Sequence, residues 1–150
     1  MKIDSHHHFW QYDPVEYSWM NEQMGILKQN YGPEDLLIQI QNVGIDGVVS
    51  VQASQSLKET DELLSYAEDH DFIKGVVGWF PLADSNVEFV LERYSTNPWL
   101  KGVRHVVQDE PDDRFILGSD FNRGVSLLKE LNLVYDILIF EKQLAASIEF

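Results

Sequence analysis

An α/β fold on a parallel sheet, the (β/α) barrel or TIM barrel, is the architecture this sequence predicts, with about five of its eight strands present in the chain. Three observations carry that prediction. Runs rich in β-branched residues alternate with runs of helical periodicity over all 150 residues. Most links between them are short, as successive β-α-β units require. The first strand pattern ends in His6-His7-His8, where an open dinucleotide-binding sheet would carry a glycine-rich turn.

Each element has its own signal. Lys2 to His8 reads as a short strand. Pro33-Glu34-Asp35 opens a helix, because proline suits the first helical position and acids there complement the dipole. Leu36, Leu37, Ile40 and Val43 form its apolar stripe, and Gly44 closes it. Gly47 to Ala53 is a buried strand. Ser56-Leu57-Lys58-Glu59 has the pattern of a capping box, followed by Leu63, Leu64 and Ala67 on one helix face. Ile73 to Phe80 is the third strand. A second box, Ser85-Asn86-Val87-Glu88, precedes a stripe of Val87, Val90, Leu91 and Tyr94. Leu100 to Val107 is the fourth strand. Ser119 is set to cap a helix with stripe Phe121, Val125, Leu128 and Leu131, and Leu133 to Phe140 is the fifth strand. Glu141 to Phe150 starts another helix. The expected organisation is a single barrel of which residues 1–150 are the N-terminal part, with no separate second domain.

Two connections are long: Phe9 to Gly32, dense in aromatics, and Gln108 to Gly118. Long loops tend to be functional. In a barrel both lie at the C-terminal ends of the strands, where active sites form.

Composition narrows the function classes. The chain is 44% hydrophobic, enough for a core. Eleven Lys and Arg against 25 Asp and Glu give a net charge of −14, which repels phosphate backbones and anionic membranes. Nucleic acid and membrane are therefore not expected partners. There is no cysteine, which excludes disulfides and thiolate zinc sites. Neither a signal peptide nor a run of ~20 apolar residues is present, and a cytoplasmic location is the expectation.

Successive strand residues face opposite sides, so His6 and His8 share one face and His7 points away. Two imidazoles at that spacing can reach one divalent ion, zinc being a suitable borderline metal. Asp4 shares their face and could orient a ligand. Two ligands do not complete a catalytic zinc site, so an inert cluster, or substrate binding without a metal, stays open. Arg104 sits in an apolar strand, where a charge is costly unless paired. A role in holding a substrate oxygen and a structural ion pair are both open for it. His105 is its neighbour on the opposite face. Gln52 interrupts the second strand and can bond a polyol or serve as a satisfied core amide. Trp79 ends the third strand and can wall a sugar ring or pack the core. Trp10 belongs to the aromatic segment that could cover the site. His70, among acids at a helix end, reads as a surface residue, and the run Asp109 to Asp113 as a solvated loop.

Ile3 to Trp10 resembles the opening of the amidohydrolase-related family of metal-dependent hydrolases, in which a His-x-His pair ends the first barrel strand. Gly102 to Pro111 and Asp136-Ile137-Leu138-Ile139 are similar to its sugar lactonase branch, which includes L-fuconolactonases and L-rhamnono-lactonases. The likeness spans essentially the whole chain. It implies a hydrolase that opens a small sugar lactone by metal-assisted or Arg-assisted attack of water. His6 and His8 would be metal ligands, and Arg104, His105, Gln52, Trp10 and Trp79 substrate-binding residues. Some members of the branch hydrolyse lactones without a metal. The family's later histidine and the aspartate ending its eighth strand have no counterpart here, so these 150 residues are expected to be inactive alone. Exposed strand edges make association, including a homo-oligomer, an expectation. Hydrolysis or decarboxylation of another small substrate, and a non-catalytic α/β binding domain, are the competing functions.

Overall fold

The computed structural model describes residues 1–150. Five strands form one parallel sheet in chain order: β1 (Ile3–His7), β2 (Gly47–Val51), β3 (Ile73–Gly78), β4 (Leu100–Val106) and β5 (Val134–Leu138). Helices cross between them: α1 (Pro33–Val43), α2 (Leu57–Asp69), α3 (Val87–Tyr94) and α4 (Ser119–Glu130), with α5 (Leu144–Glu149) after the last strand. A sheet that takes its strands in sequence order, each returned by a helix, is half of a (β/α) barrel.

The core lies between sheet and helices. Val48, Ile73, Val76 and Val103 from the strands meet Leu63, Leu91, Phe121 and Leu128 from the helices in one buried cluster. Gly44 ends α1 at φ 70°, the left-handed conformation that glycine adopts without a Cβ penalty. Register shifts interrupt the first three strand pairings, while β4 and β5 pair without a break from Gly102 with Val134 to Val106 with Leu138.

The expected caps are only partly realised. Ser56 caps α2 by accepting from the Lys58 amide at 3.1 Å. Glu59, however, does not return to the Ser56 amide; it bonds elsewhere, as described below. Asn86 rather than Ser85 stands at the start of α3, and Gly118 precedes α4, so Ser119 is already helical.

The segment after β1 is folded down rather than loose. Trp10 and Tyr31 exchange backbone hydrogen bonds at 3.1 and 3.0 Å, closing the segment at its base. The Trp10 indole donates to the carbonyls of Leu27 and Gln29 at 3.1 and 2.9 Å. Phe9, Tyr17 and Met20 are buried against the body of the molecule. No helix is long and apolar enough to cross a membrane.

Candidate active site

Three sequence-distant groups meet at the C-terminal ends of β1, β2 and β4. Arg104 is only 6% exposed. Its guanidinium finds no carboxylate to bond. Its Nε and Nη2 donate to the Gln52 side-chain oxygen at 3.0 and 2.7 Å, and Nη2 also donates to the Gln52 main-chain carbonyl. Gln52 is fully buried and its own amide nitrogen donates to the Ser54 carbonyl at 3.3 Å. The polar residues that break two apolar strands therefore satisfy each other. The remaining arm, Nη1, points to His6 Nε2 at 3.2 Å.

The two histidines converge as strand parity predicts, with their Nε2 atoms 3.2 Å apart. His8 Nδ1 lies 2.8 Å from the Val51 carbonyl, which only accepts, so that nitrogen carries the proton and Nε2 is a bare lone pair. Arg104 only donates, so His6 Nε2 is a lone pair too. Burial, with the Arg104 charge adding to it, keeps His6 below its ordinary value. Burial holds His8 down to about 4, with Arg104 and His6 contributing and the Val51 contact opposing. Both rings are neutral at pH 7, and two lone pairs face each other with no proton between them.

That arrangement fits a cation. Zinc bonds nitrogen at roughly 2.0–2.1 Å, which places two tetrahedral ligands about 3.4 Å apart. His6 and His8 would thus supply two donors once His6 exchanges its hydrogen bond from Arg104 for the ion, and no group of three or more His, Cys, Asp or Glu side chains assembles in the chain. Asp4 accepts from the His6 main-chain amide at 3.1 Å rather than from a ring. His7 turns away to the Ser50 hydroxyl at 3.0 Å, and burial pushes it down to about 4.

Around these groups is a cavity of about 790 Å³. Its floor is His6, His8, Gln52 and Arg104. Glu16, Ser18, Trp19 and Met24 of the long first segment form one wall, and Ala53, Ser54 and Gln55 another. Gln108 and Asp109 contribute from the loop after β4. The lining sets amides, hydroxyls and carboxylates among apolar groups of Trp19, Met24, Val106 and Leu138, which suits a small molecule with both hydroxyls and an apolar ring face.

Three residues expected at the substrate stand elsewhere. His105 Nε2 donates to Glu110 at 2.6 Å, and its Nδ1 accepts from the Trp79 indole at 3.2 Å. The imidazole stacks on Phe115 with centroids 5.1 Å apart. His105 and Trp79 therefore satisfy one another behind β4, and neither lines the cavity. Trp10 is committed to the base of the long segment, away from the cavity as well. His70 is half-buried, with Nε2 3.5 Å from Glu34.

Two acids escaped the sequence analysis as site residues. Asp136 lies directly across from Arg104 in the β4–β5 register, and its charge favours the protonated forms of both Arg104 and His6. The register of two parallel strands was the signal, but it is not visible until the strands are paired. Glu59 is buried behind the second wall, where the capping-box pattern had already accounted for it.

The amidohydrolase family model matches residues 3–149. An L-fucono-1,5-lactonase from Burkholderia multivorans is 41% identical over 146 residues, which is 96% of this chain and 49% of that protein. A second, from Burkholderia ambifaria, is 27% identical over 99% of the chain and 51% of its own length. The chain thus spans about half the length of the curated relatives it matches. A crystal structure of an amidohydrolase from Burkholderia multivorans with bound zinc superposes with a TM-score of 0.93 at 37% identity, covering all of this chain and 53% of the other.

Proposed function

We propose, for a chain that belongs to the amidohydrolase family, that this site is part of the active centre of a hydrolase opening a small sugar lactone. Residues 1–150 are the N-terminal part of one barrel in this proposal, and the work of the protein belongs to carbohydrate metabolism in the cytoplasm. The observation that carries it is the Arg104 guanidinium. It is buried, held by Gln52 on one side, and its remaining arm reaches the neutral His6 imidazole on the floor of the cavity. The lactonase activity of the two Burkholderia relatives supplies the substrate class.

Lactone hydrolysis adds water to the carbonyl carbon. The carbonyl electron pair moves onto oxygen, and the collapse of that adduct expels the ring oxygen, which takes up a proton. Arg104 is placed to hold the carbonyl oxygen and to stabilise the charge that develops on it. A preorganised donor of this kind contributes roughly 10²–10³-fold in rate. Gln52 fixes the guanidinium so that no reorganisation is needed during reaction. Gln55, Ser18 and Gln108 are positioned to read sugar hydroxyls. His6 and His8 hold a divalent ion, zinc by ligand type, and when bound it supplies Lewis-acid polarisation of the carbonyl. His105, Trp79 and Trp10 enter as supports of the site rather than substrate contacts. The proton-shuttling aspartate is the one that the family resemblance places on the eighth strand.

The test uses the chain alone and the chain joined to the C-terminal half of the Burkholderia multivorans relative. Both are assayed on L-fucono-1,5-lactone and other aldonolactones, with zinc content measured in parallel. The joined protein turns over a lactone and the chain alone does not. Arg104→Met in the joined protein lowers kcat/KM by about 10²-fold or more. A joined protein that is folded and opens no lactone in the panel defeats the proposal. Lactonase activity that survives His6→Ala/His8→Ala unchanged removes the metal from it.

A further inference from the structure

Glu59 ties together two walls of the cavity that have no other common partner. It is 3% exposed, in the first turn of α2. One carboxylate oxygen accepts from the Tyr17 hydroxyl at 2.9 Å. The other accepts from the main-chain amides of Ala53 and Ser54, at 2.9 and 2.8 Å. Tyr17 is itself 2% exposed and stands between Glu16 and Ser18, both of which line the cavity. Ala53 and Ser54 line it from the other side and follow directly on Gln52, the residue that holds Arg104. A single buried carboxylate thus connects the long first segment, the turn after β2 and, through Gln52, the guanidinium. The outer contact of the first segment with α2, Lys58 with Glu16 at 2.9 Å, is exposed and contributes little.

A carboxylate is not needed here for the helix. Ser56 already caps α2, and a helix start is well served by a surface acid. Burying the acid is costly unless its hydrogen bonds are made, and it makes three across two loops. We propose that Glu59 is a positioning residue: through Tyr17 and the Ala53–Ser54 amides it sets the distance between the two walls and so the fit of the substrate between them. This rests on the cavity being the substrate site.

The test is hydrogen exchange on the 150-residue chain, read by mass spectrometry over residues 9–32, 52–56 and the rest separately. Tyr17→Phe speeds exchange about tenfold or more in 9–32 and leaves α2 unchanged. Glu59→Ala speeds it in both 9–32 and 52–56. Glu59→Gln restores both, because one amide oxygen serves the two N–H groups and its NH₂ faces the Tyr17 oxygen. If Glu59→Ala fails to fold, Tyr17→Phe and Glu59→Gln still decide the matter. Exchange confined to the first turn of α2 in Glu59→Ala, or an unmoved 9–32 segment in Tyr17→Phe, overturns the proposal. In the joined protein assayed on lactones, Tyr17→Phe raises KM several-fold with kcat nearly held, and equal loss in kcat alone counts against positioning. Absence of turnover in the unsubstituted joined protein condemns the lactonase assignment and leaves the exchange result standing.

Discussion

At the scale of single residues, the site is an exercise in satisfying buried polar groups. Gln52 gives its side-chain and main-chain oxygens to Arg104, which has no bonded carboxylate. Gln52→Leu therefore leaves a buried guanidinium with most of its donors unmatched. The expected loss is about 3 kcal/mol, measured by urea unfolding, with Arg104→Met/Gln52→Leu less destabilised than the single variant. Both residues were legible in the sequence, because each is a polar break in an apolar strand. Their partnership was not, since 52 positions separate them. Glu59 was missed for a different reason: a local pattern, the capping box, offered a sufficient use for it. Its carboxyl is pushed up to about 7 from 4.5, first by burial, with Glu62 adding and the Ser54, Tyr17 and Ala53 hydrogen bonds opposing. Its charge in turn favours the protonated form of Arg104 on β4. The folded chain holds that proton where the unfolded chain has released it. Stability from this group is thus present below pH 4.5 and declines as pH rises to about 7, by an upper limit of about 3 kcal/mol. Glu59→Gln is expected to lack this decline, so its stability relative to the parent rises between pH 5 and pH 8 in parallel urea titrations. An unchanged difference across that range would show that the carboxyl titrates normally.

At the scale of elements, the alternation of strand and helix was readable throughout, because period-two apolar runs and 3.6-residue stripes do not depend on what lies across the sheet. Boundaries that depend on neighbours were less so. β1 ends at His7, so His8 stands just beyond it, held by the Val51 carbonyl of β2 rather than by the strand ladder. The close approach of α4 to the link after β3 was equally invisible. Gly124 lies in the middle of α4, a place where glycine is intrinsically unfavourable. A Cβ built there would come within 2.0 Å of the Leu82 carbonyl oxygen. Packing, not helix propensity, dictates the residue. Gly124→Ala should therefore destabilise rather than stabilise, by roughly 2–3 kcal/mol in thermal or urea unfolding, against the gain of up to ~1 kcal/mol that an open helix position would give. A more stable variant would mean that α4 can move off the sheet freely.

At the scale of the molecule, the sheet has two unpaired edges, β1 and β5, because pairing runs in a line from one to the other. A closed barrel has none. The β5 edge and the helix beyond it also leave apolar side chains in solvent: Val134, Ile137, Phe140, Leu144 and Ile148 are each about half exposed or more. Ala146 of α5 is buried in the core, and Tyr135 of β5 and Ile139 just beyond it pack against that core. Apolar side chains are also exposed on α1 and α3, at Ile38, Val43 and Phe89, but at β5 they adjoin an unpaired sheet edge. This predicts concentration-dependent association of the 150-residue chain, seen as a rising mean mass in sedimentation equilibrium. Ile137→Lys with Ile148→Lys should shift it toward monomer, since charge on an edge opposes strand addition. Adding the C-terminal half of the Burkholderia multivorans relative should compete in the same way if that half seats on the β5 edge. Monomeric behaviour of the unmodified chain at high concentration would instead mean that the net charge of −14 suffices to keep exposed edges apart.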